Sequence, residues 1–391
     1  MQSSSIIRVS APVLEGERLI YRLKNGSNLE ELTLWFERPG LSLSSIPQSM
    51  DGIAAAVIFY AMRCGQPLQL EGKIGAATLR NLTELQRAWS VWKPSCYQVV
   101  PIYHDGVEET RTRPKESAIS AFSGGVDAFF NLVHNSEQPV PLRYPISHAL
   151  LVHGFDIPLA KEAAFERVAA DYKEILKTFG VELITIRTNL KEISFTDWED
   201  TFIALLTACF YHSGPDFRYA LVGSSEAYDE LVIPWGSSPI SDHLFSSAQL
   251  EIVHYGAAFT RSEKVRVLSN NSAARQNLRV CWRSEDPTRN CGICEKCTRT
   301  RLNFALAGHP NLKVLGDGAL ETLIANLDIR NAAVANELFS ILRAADARNV
   351  KERWVSLLRS RMQDWQMPTQ GHRLVQGIRA LVRSLRRNET I

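Results

Sequence analysis

Four of the chain's seven cysteines, Cys281, Cys291, Cys294 and Cys297, fall within seventeen residues in the spacing C-x9-C-x2-C-x2-C. In a chain expected to reside in a reducing compartment, such clustering points to a metal rather than to disulfides. Four thiolates can close a tetrahedral shell around Zn²⁺ and leave no position open, so the site is expected to hold a loop together rather than do chemistry. An iron–sulfur cluster is the rival, because two of the gaps match the bacterial ferredoxin run. The fourth cysteine with its following proline is missing, however, and Cys281 lies upstream. Cys64, Cys96 and Cys209 are scattered and read as buried small hydrophobes.

A second constellation lies in SAISAFSGGVDAFF, from residue 117. An apolar strand-like run passes straight into Ser123, Gly124 and Gly125 and then into a helical pattern opening with Val126 and Asp127. Adjacent glycines let the backbone turn without a Cβ clash and bring N–H groups close to a ligand, while the helix start adds free N–H groups and its positive dipole end. The carboxyl end of a sheet strand is where open α/β sheets bind ligands. Ser123 can donate its hydroxyl to a phosphate oxygen, and Asp127, which would otherwise repel phosphate, fits if it holds a bridging Mg²⁺. The plainer alternative is an ordinary turn with Asp127 complementing the helix dipole. The pattern is neither the Walker sequence nor GxGxxG.

The stretch SGGVDA resembles the PP-loop, SGGxDS, of ATP pyrophosphatases, which cleave ATP to AMP and pyrophosphate while adenylating a substrate. Ala128 stands where that motif ends in Ser. With a four-cysteine site about 155 residues further on, followed by Arg299, Arg301, Phe304, Ala307 and Gly308, the chain is similar to QueC, the 7-cyano-7-deazaguanine synthase family. The family's closing pattern is matched at Cys281, Trp282, Cys291, Gly292, Cys294 and Cys297, with Thr300 in place of its final Arg. TRSE at 260–263 resembles the family's TKAE turn, with Arg261 for Lys. The resemblance covers about residues 117–308, roughly half the chain.

That resemblance implies ATP, Mg²⁺ and Zn²⁺ as cofactors. It also implies a ligase that adenylates a carboxylate, that of 7-carboxy-7-deazaguanine, lets ammonia displace AMP to give an amide, and dehydrates the amide to a nitrile. Ser123, Asp127 and Arg261 would act on the phosphates; Ser123, Gly124, Gly125, Val126, Asp127, His153, Gly154 and Arg187 would hold the nucleotide. The family's DYSGYPDCRPEF loop, part of the acceptor pocket, is replaced by the unrelated residues 224–247. The extra length resembles enlarged QueC-like proteins of some anti-phage defence operons, which implies instead a deazaguanine joined to a partner protein of the same operon.

Read without the resemblance, Arg187 at a strand end and Arg261 and Lys264 at a helix start could neutralise transferring phosphates, and each also reads as a solvated surface residue. His153, Gly154 and Asp156 follow a strand, where a His is commonly structural. Glu226, Asp229, Asp242 and His243 in the replaced loop are further candidates for touching substrate or metal.

These residues need a scaffold, and the hydrophobic pattern supplies one. Beyond residue 117, strand-like runs at 118–122, 149–153, 182–187 and 219–222 alternate with helical patterns from 126, at 161–179 and at 198–211. This predicts an α/β fold with a doubly wound parallel sheet, of PP-loop (adenine nucleotide alpha hydrolase) type by the resemblance. Residues 1–115 predict an N-terminal α+β domain with strands at 6–9, 18–23, 32–36, 68–70 and 97–103 and helices at 54–64 and 76–92. The polar stretch 106–116 with Pro114 marks its end. Residues 116–310 form the predicted ATPase domain with its zinc loop, and 311–391 a helical extension with helices at 319–326, 332–345, 351–362 and 372–387.

With 391 residues, 45% apolar and 22% charged, the chain reads as globular. No apolar run reaches the roughly 18 residues a span needs, and residues 1–10 lack the pattern of a signal peptide, so a cytoplasmic protein with no membrane partner is expected. A net charge of +2 argues against nucleic-acid binding as the default. From Arg343 onward, however, eleven basic residues face four acidic ones. The helix at 372–387 reads as amphipathic and packed on the body, or as a docking surface for an acidic partner or tRNA. Two other function classes follow: a PP-loop tRNA modifier using that tail, and a nucleotide sensor without turnover, for which Ala128 argues.

Overall fold

The computed structural model describes residues 5–26, 31–43, 46–108, 116–193, 197–214, 217–281, 283–363 and 365. Trp282, residues 109–115 of the expected boundary and the basic helix at 372–387 lie outside the described residues. The first segment runs β1 (Ile7–Val9), β2 (Val13–Glu15), β3 (Arg18–Asn25), β4 (Glu31–Glu37), α1 (Asp51–Cys64), β5 (Leu68–Gly75), α2 (Ala76–Trp92) and β6 (Ile102–Glu108). The second alternates strand and helix: β7 (Ala118–Ala121), α3 (Val126–Glu137), β8 (Ile146–His153), α4 (Glu162–Lys177), β9 (Glu182–Thr188), α5 (Leu190–Ile193), α6 (Trp198–Tyr211), β10 (Tyr219–Gly223) and β11 (Glu251–Tyr255). Helices follow: α7 (Arg261–Ser269), α8 (Ser272–Asn277), α9 (Glu295–Leu306), α10 (Leu320–Ala325), α11 (Ala332–Ala347) and α12 (Arg353–Gln363).

One mixed, largely parallel sheet collects the strands in the order β11-β10-β7-β8-β9-β4-β3-β1-β5-β6, with β2 on β3. The five strands from β11 to β9 are all parallel, whereas β4 joins β9 antiparallel. β8 shows why its stretch 149–152 is a continuous apolar run: Leu150 and Val152 enter one core with α1 and α6, while Ala149 and Leu151 enter another with α3, α4 and α7. A strand covered on both faces has no polar side to alternate with. The first core draws on both segments, from Ile7 to Ile252, and α1 packs so closely on α6 that a Cβ on Gly52 would lie 2.6 Å from that of Tyr211. A third core joins α9 to α10, α11 and α12.

The expected strand at 97–103 is displaced to 102–108. Tyr97 buries its ring beside Phe59 and Trp89 and donates to Asp200 at 2.8 Å, and the Val100 N–H is taken by the Gln86 side chain, so the chain turns to β5 only after Pro101. β2 and β11 carry no clear sequence pattern and were not expected. Among the described residues, no helix is long and apolar enough to cross a membrane.

Candidate functional site

β7 is followed on one side of the sheet by β8 and β9, after which the chain returns to place β10 on its other flank. This reversal opens a crevice at the strands' carboxyl ends, and the turn Ser123–Gly125 sits there. Gly124 has φ +77°, and a Cβ on it would lie 1.8 Å from Tyr172 Oη. Tyr172 donates to the Ser123 carbonyl at 2.9 Å, and the Arg279 N–H donates to the Gly124 carbonyl at 2.8 Å. Both carbonyls are thereby held, and Gly125 begins α3 with no side-chain cap over the first N–H groups. A helix start left in this condition suits an anion.

The turn opens onto a cavity of about 120 Å³, lined on one side by Ser123, Gly125, Val126 and Asp127 and on the other by Val280, Cys281 and Thr300. Four basic side chains, Arg261, Arg279, Lys296 and Arg299, stand around it against two carboxylates, Asp127 and Asp156. The cavity is smaller than the roughly 300–1,000 Å³ of whole small-molecule pockets, so it would enclose part of such a ligand rather than all of one.

α7 supplies the cations nearest Asp127. Thr260 and Glu263 cap it reciprocally, each side chain bonding the other's backbone N–H, which places Arg261 at the first helical position. Arg261 Nη2 lies 3.1 Å from Asp127 Oδ2, and its Nε makes an ion pair with Glu337 of α11 at 2.9 Å. Lys264 is almost wholly buried; its Nζ lies 3.1 Å from Asp127 Oδ1 and also donates to the Ser224 carbonyl. Burial would raise the Asp127 carboxyl, but Arg261 and Lys264 outweigh it and hold the group below the usual range. Lys264 is pushed down by burial, with Asp127 opposing the shift. Arg299 pairs with Glu295 at 2.7 Å and with Glu337, so one carboxylate of the helical extension anchors two arginines of the cavity wall.

Cys281, Cys291, Cys294 and Cys297 converge, with all four sulfurs within 4.8 Å of one another. Separations of 3.7 Å (Cys281 to Cys294), 3.5 Å (Cys294 to Cys297) and 3.9 Å (Cys291 to Cys297) are far beyond a disulfide bond, and the set could hold a metal ion such as zinc. The Cys294 N–H points to Cys291 Sγ at 3.3 Å, and Cys294 begins α9. Cys281 is brought back across the intervening loop by Asn290. Its Oδ1 accepts from the N–H groups of Val280 (2.8 Å) and Cys281 (3.1 Å), while its Nδ2 donates to Leu278 and Val314 carbonyls, each at 2.8 Å.

Of the residues singled out in the sequence, Ser123, Gly124, Gly125, Val126, Asp127, Asp156, Arg261, Lys264 and Arg299 come together. His153, Gly154 and Arg187 stand outside the cavity lining. His153 is buried, stacked on Phe165 at 4.3 Å with Nε2 3.0 Å from the Pro158 carbonyl, and burial depresses its pKa. Gly154, at φ +107°, leaves room for the Thr188 carbonyl, which a Cβ would approach to 2.1 Å. Arg187 is occupied by Glu37 (2.9 Å) and Glu162 (3.0 Å), tying β9 to β4 and α4. In the 224–247 loop, Asp242 is an internal anchor, accepting from Ser237 (2.6 Å) and Ser238 (2.8 Å) and pairing with His254 at 2.7 Å. Glu226 is pushed up to about 7 by burial, against a bond from the Val232 N–H.

Arg279, Lys296, Tyr172, Asn290 and Glu337 also shape the site, and the sequence does not single them out. Only Glu337 left a trace, as a carboxylate on the apolar stripe of Val334, Leu338 and Ile341. No protein-family model matches the chain, and neither the curated proteins nor the solved structures yield a significant match.

Proposed function

We propose that the protein is a QueC-like ATP pyrophosphatase that adenylates a carboxylate, with 7-carboxy-7-deazaguanine the first acceptor to test. The observation that carries this reading is the double-glycine turn at the strand-order reversal, opening onto a cavity ringed by Arg261, Arg279, Lys296 and Arg299. When an acceptor carboxylate attacks the α-phosphorus of ATP, the bond to pyrophosphate breaks and negative charge grows on the leaving oxygens. Fixed cations and free helix N–H groups at that place would stabilise the charge as it forms. Ammonia then forms the C–N bond as AMP departs.

Both carboxylate oxygens of Asp127 face cations, so its first role in this reading is to hold Arg261 and Lys264 in place. Mg²⁺ would arrive bound to ATP. For the cysteines, a tetrahedron with Zn–S bonds of about 2.3 Å has sulfur–sulfur edges of about 3.8 Å, close to three of the separations, at 3.5–3.9 Å, with all four sulfurs within 4.8 Å. An iron–sulfur cluster sets several irons between its thiolates and spreads them further apart, so zinc is the ion proposed.

The test supplies ATP, Mg²⁺, ammonia and 7-carboxy-7-deazaguanine and follows the products. AMP with pyrophosphate is expected. ADP with phosphate would remove the reading, and tight ATP binding without AMP release would select a nucleotide sensor instead.

A further inference from the structure

The cysteine cluster and the glycine turn share a wall. Val280 and Cys281 line the anion cavity, as do Lys296, Arg299 and Thr300, which stand on the helix that Cys294 begins. Arg279, two residues before Cys281, donates its N–H to the Gly124 carbonyl. Its guanidinium donates to Tyr172 Oη at 3.1 Å and to the Pro287 carbonyl at 3.3 Å, the latter inside the nine-residue loop between Cys281 and Cys291. Tyr172 in turn holds the Ser123 carbonyl. The chain of contacts therefore runs from the metal loop, through Arg279 and Tyr172, to both carbonyls of the turn.

We propose that metal binding at the four cysteines and anion binding at the glycine turn are energetically coupled, with Arg279 and Tyr172 as the positioning residues that transmit the coupling. The inference rests on the phosphate-binding reading of the cavity. Without an ion, the nine-residue loop is held only by protein contacts such as those of Asn290, with no bond tying Cys281 to Cys291, Cys294 and Cys297, so the loop and its contact to Arg279 sample more arrangements. An anion binding to that state must order the wall as it binds and so binds less tightly. Coupling of equilibria is reciprocal: whatever factor the ion contributes to anion affinity, the anion contributes to metal affinity.

The experiment uses the full chain and inorganic pyrophosphate. Zinc transfer from the loaded protein to a chromogenic chelator is measured at equilibrium with and without saturating pyrophosphate, and affinity is referred to the free Zn²⁺ that the chelator reports, so that zinc held by pyrophosphate itself does not count as lost affinity. Retention is expected to improve by about tenfold, within the roughly 5–150-fold range of couplings between sites. Because the factor is read at saturation, weaker binding alone does not change it. Arg279→Met and Tyr172→Phe should still bind one zinc per chain, yet pyrophosphate should shift their zinc affinity by less than about twofold; Tyr172→Phe tests the link without removing a cation from the cavity. Full coupling in both variants would mean that the linkage runs through global unfolding, and would overturn the proposal. Pyrophosphate binding to loaded wild-type protein with no change in zinc affinity would overturn this inference alone. Absence of pyrophosphate binding to that protein would overturn the phosphate-binding reading and the inference with it.

Discussion

Gly124 and Asp127 do opposite things for the same turn. A side chain at Gly124 meets both a left-handed backbone and the Tyr172 hydroxyl, so Gly124→Ala is expected to cost at least about 1–2 kcal/mol from backbone conformation alone. The denaturation midpoint should drop, and adding Tyr172→Phe should recover little of the loss, because the ring's Cζ would still lie 2.5 Å from the new Cβ. Asp127 stabilises by charge. Its carboxyl is held below the unfolded value of about 3.9, so its contribution is present above that pH and is lost as the pH falls through the folded value. Asp127→Asn is therefore expected to lower stability by about 1–3 kcal/mol at neutral pH, leaving Arg261 and Lys264 short of a partner. The gap between the melting curves of the two proteins should begin to close below about pH 4 and vanish only once the pH is below the folded value. A constant gap down to strong acid would mean that the carboxylate charge is not what stabilises.

At the scale of elements, the metal loop is the one whose shape depends on a single amide. Asn290 satisfies two N–H groups and two carbonyls across the loop, including the N–H of Cys281. Groups that orient ligands commonly matter 10–100-fold to metal affinity. Asn290→Ala is expected to weaken zinc retention by about that factor in a chelator competition while keeping all four thiols. Unchanged retention would show that the cysteines organise the loop alone. α7 is the contrasting case, because its reciprocal cap aims Arg261 whether or not a metal is present.

For the molecule as a whole, the first 108 residues complete the sheet and core of the rest. β4 pairs with β9, Glu37 takes Arg187, and α1 and α6 share one core. A chain of residues 116–391 produced alone would open an edge at β9 and expose the apolar face that α1 covers, so it is expected to aggregate. Recovery of solubility on co-production of residues 1–115 would support this account. A monodisperse, cooperatively melting 116–391 fragment would refute it.

Local chemistry made much of this legible beforehand. Cysteine spacing, the double glycine after an apolar run and the strand–helix alternation are short-range patterns, each tied to a bond length, a dihedral or a burial period, and they located the four-cysteine cluster, the turn and the parallel strands. What the sequence did not reveal lies in partners far apart along the chain. Arg279 reaching Gly124, Tyr172 rising to Ser123 and Glu337 anchoring Arg261 and Arg299 depend on how β7, α4, α9 and α11 pack, and no local pattern encodes that. The same distance applies to Arg187: its strand-end position is read from local sequence, whereas its ion pair with Glu37 of β4 appears only in the fold. A charged side chain's role is set by which opposite charge reaches it first, and only the folded chain determines that.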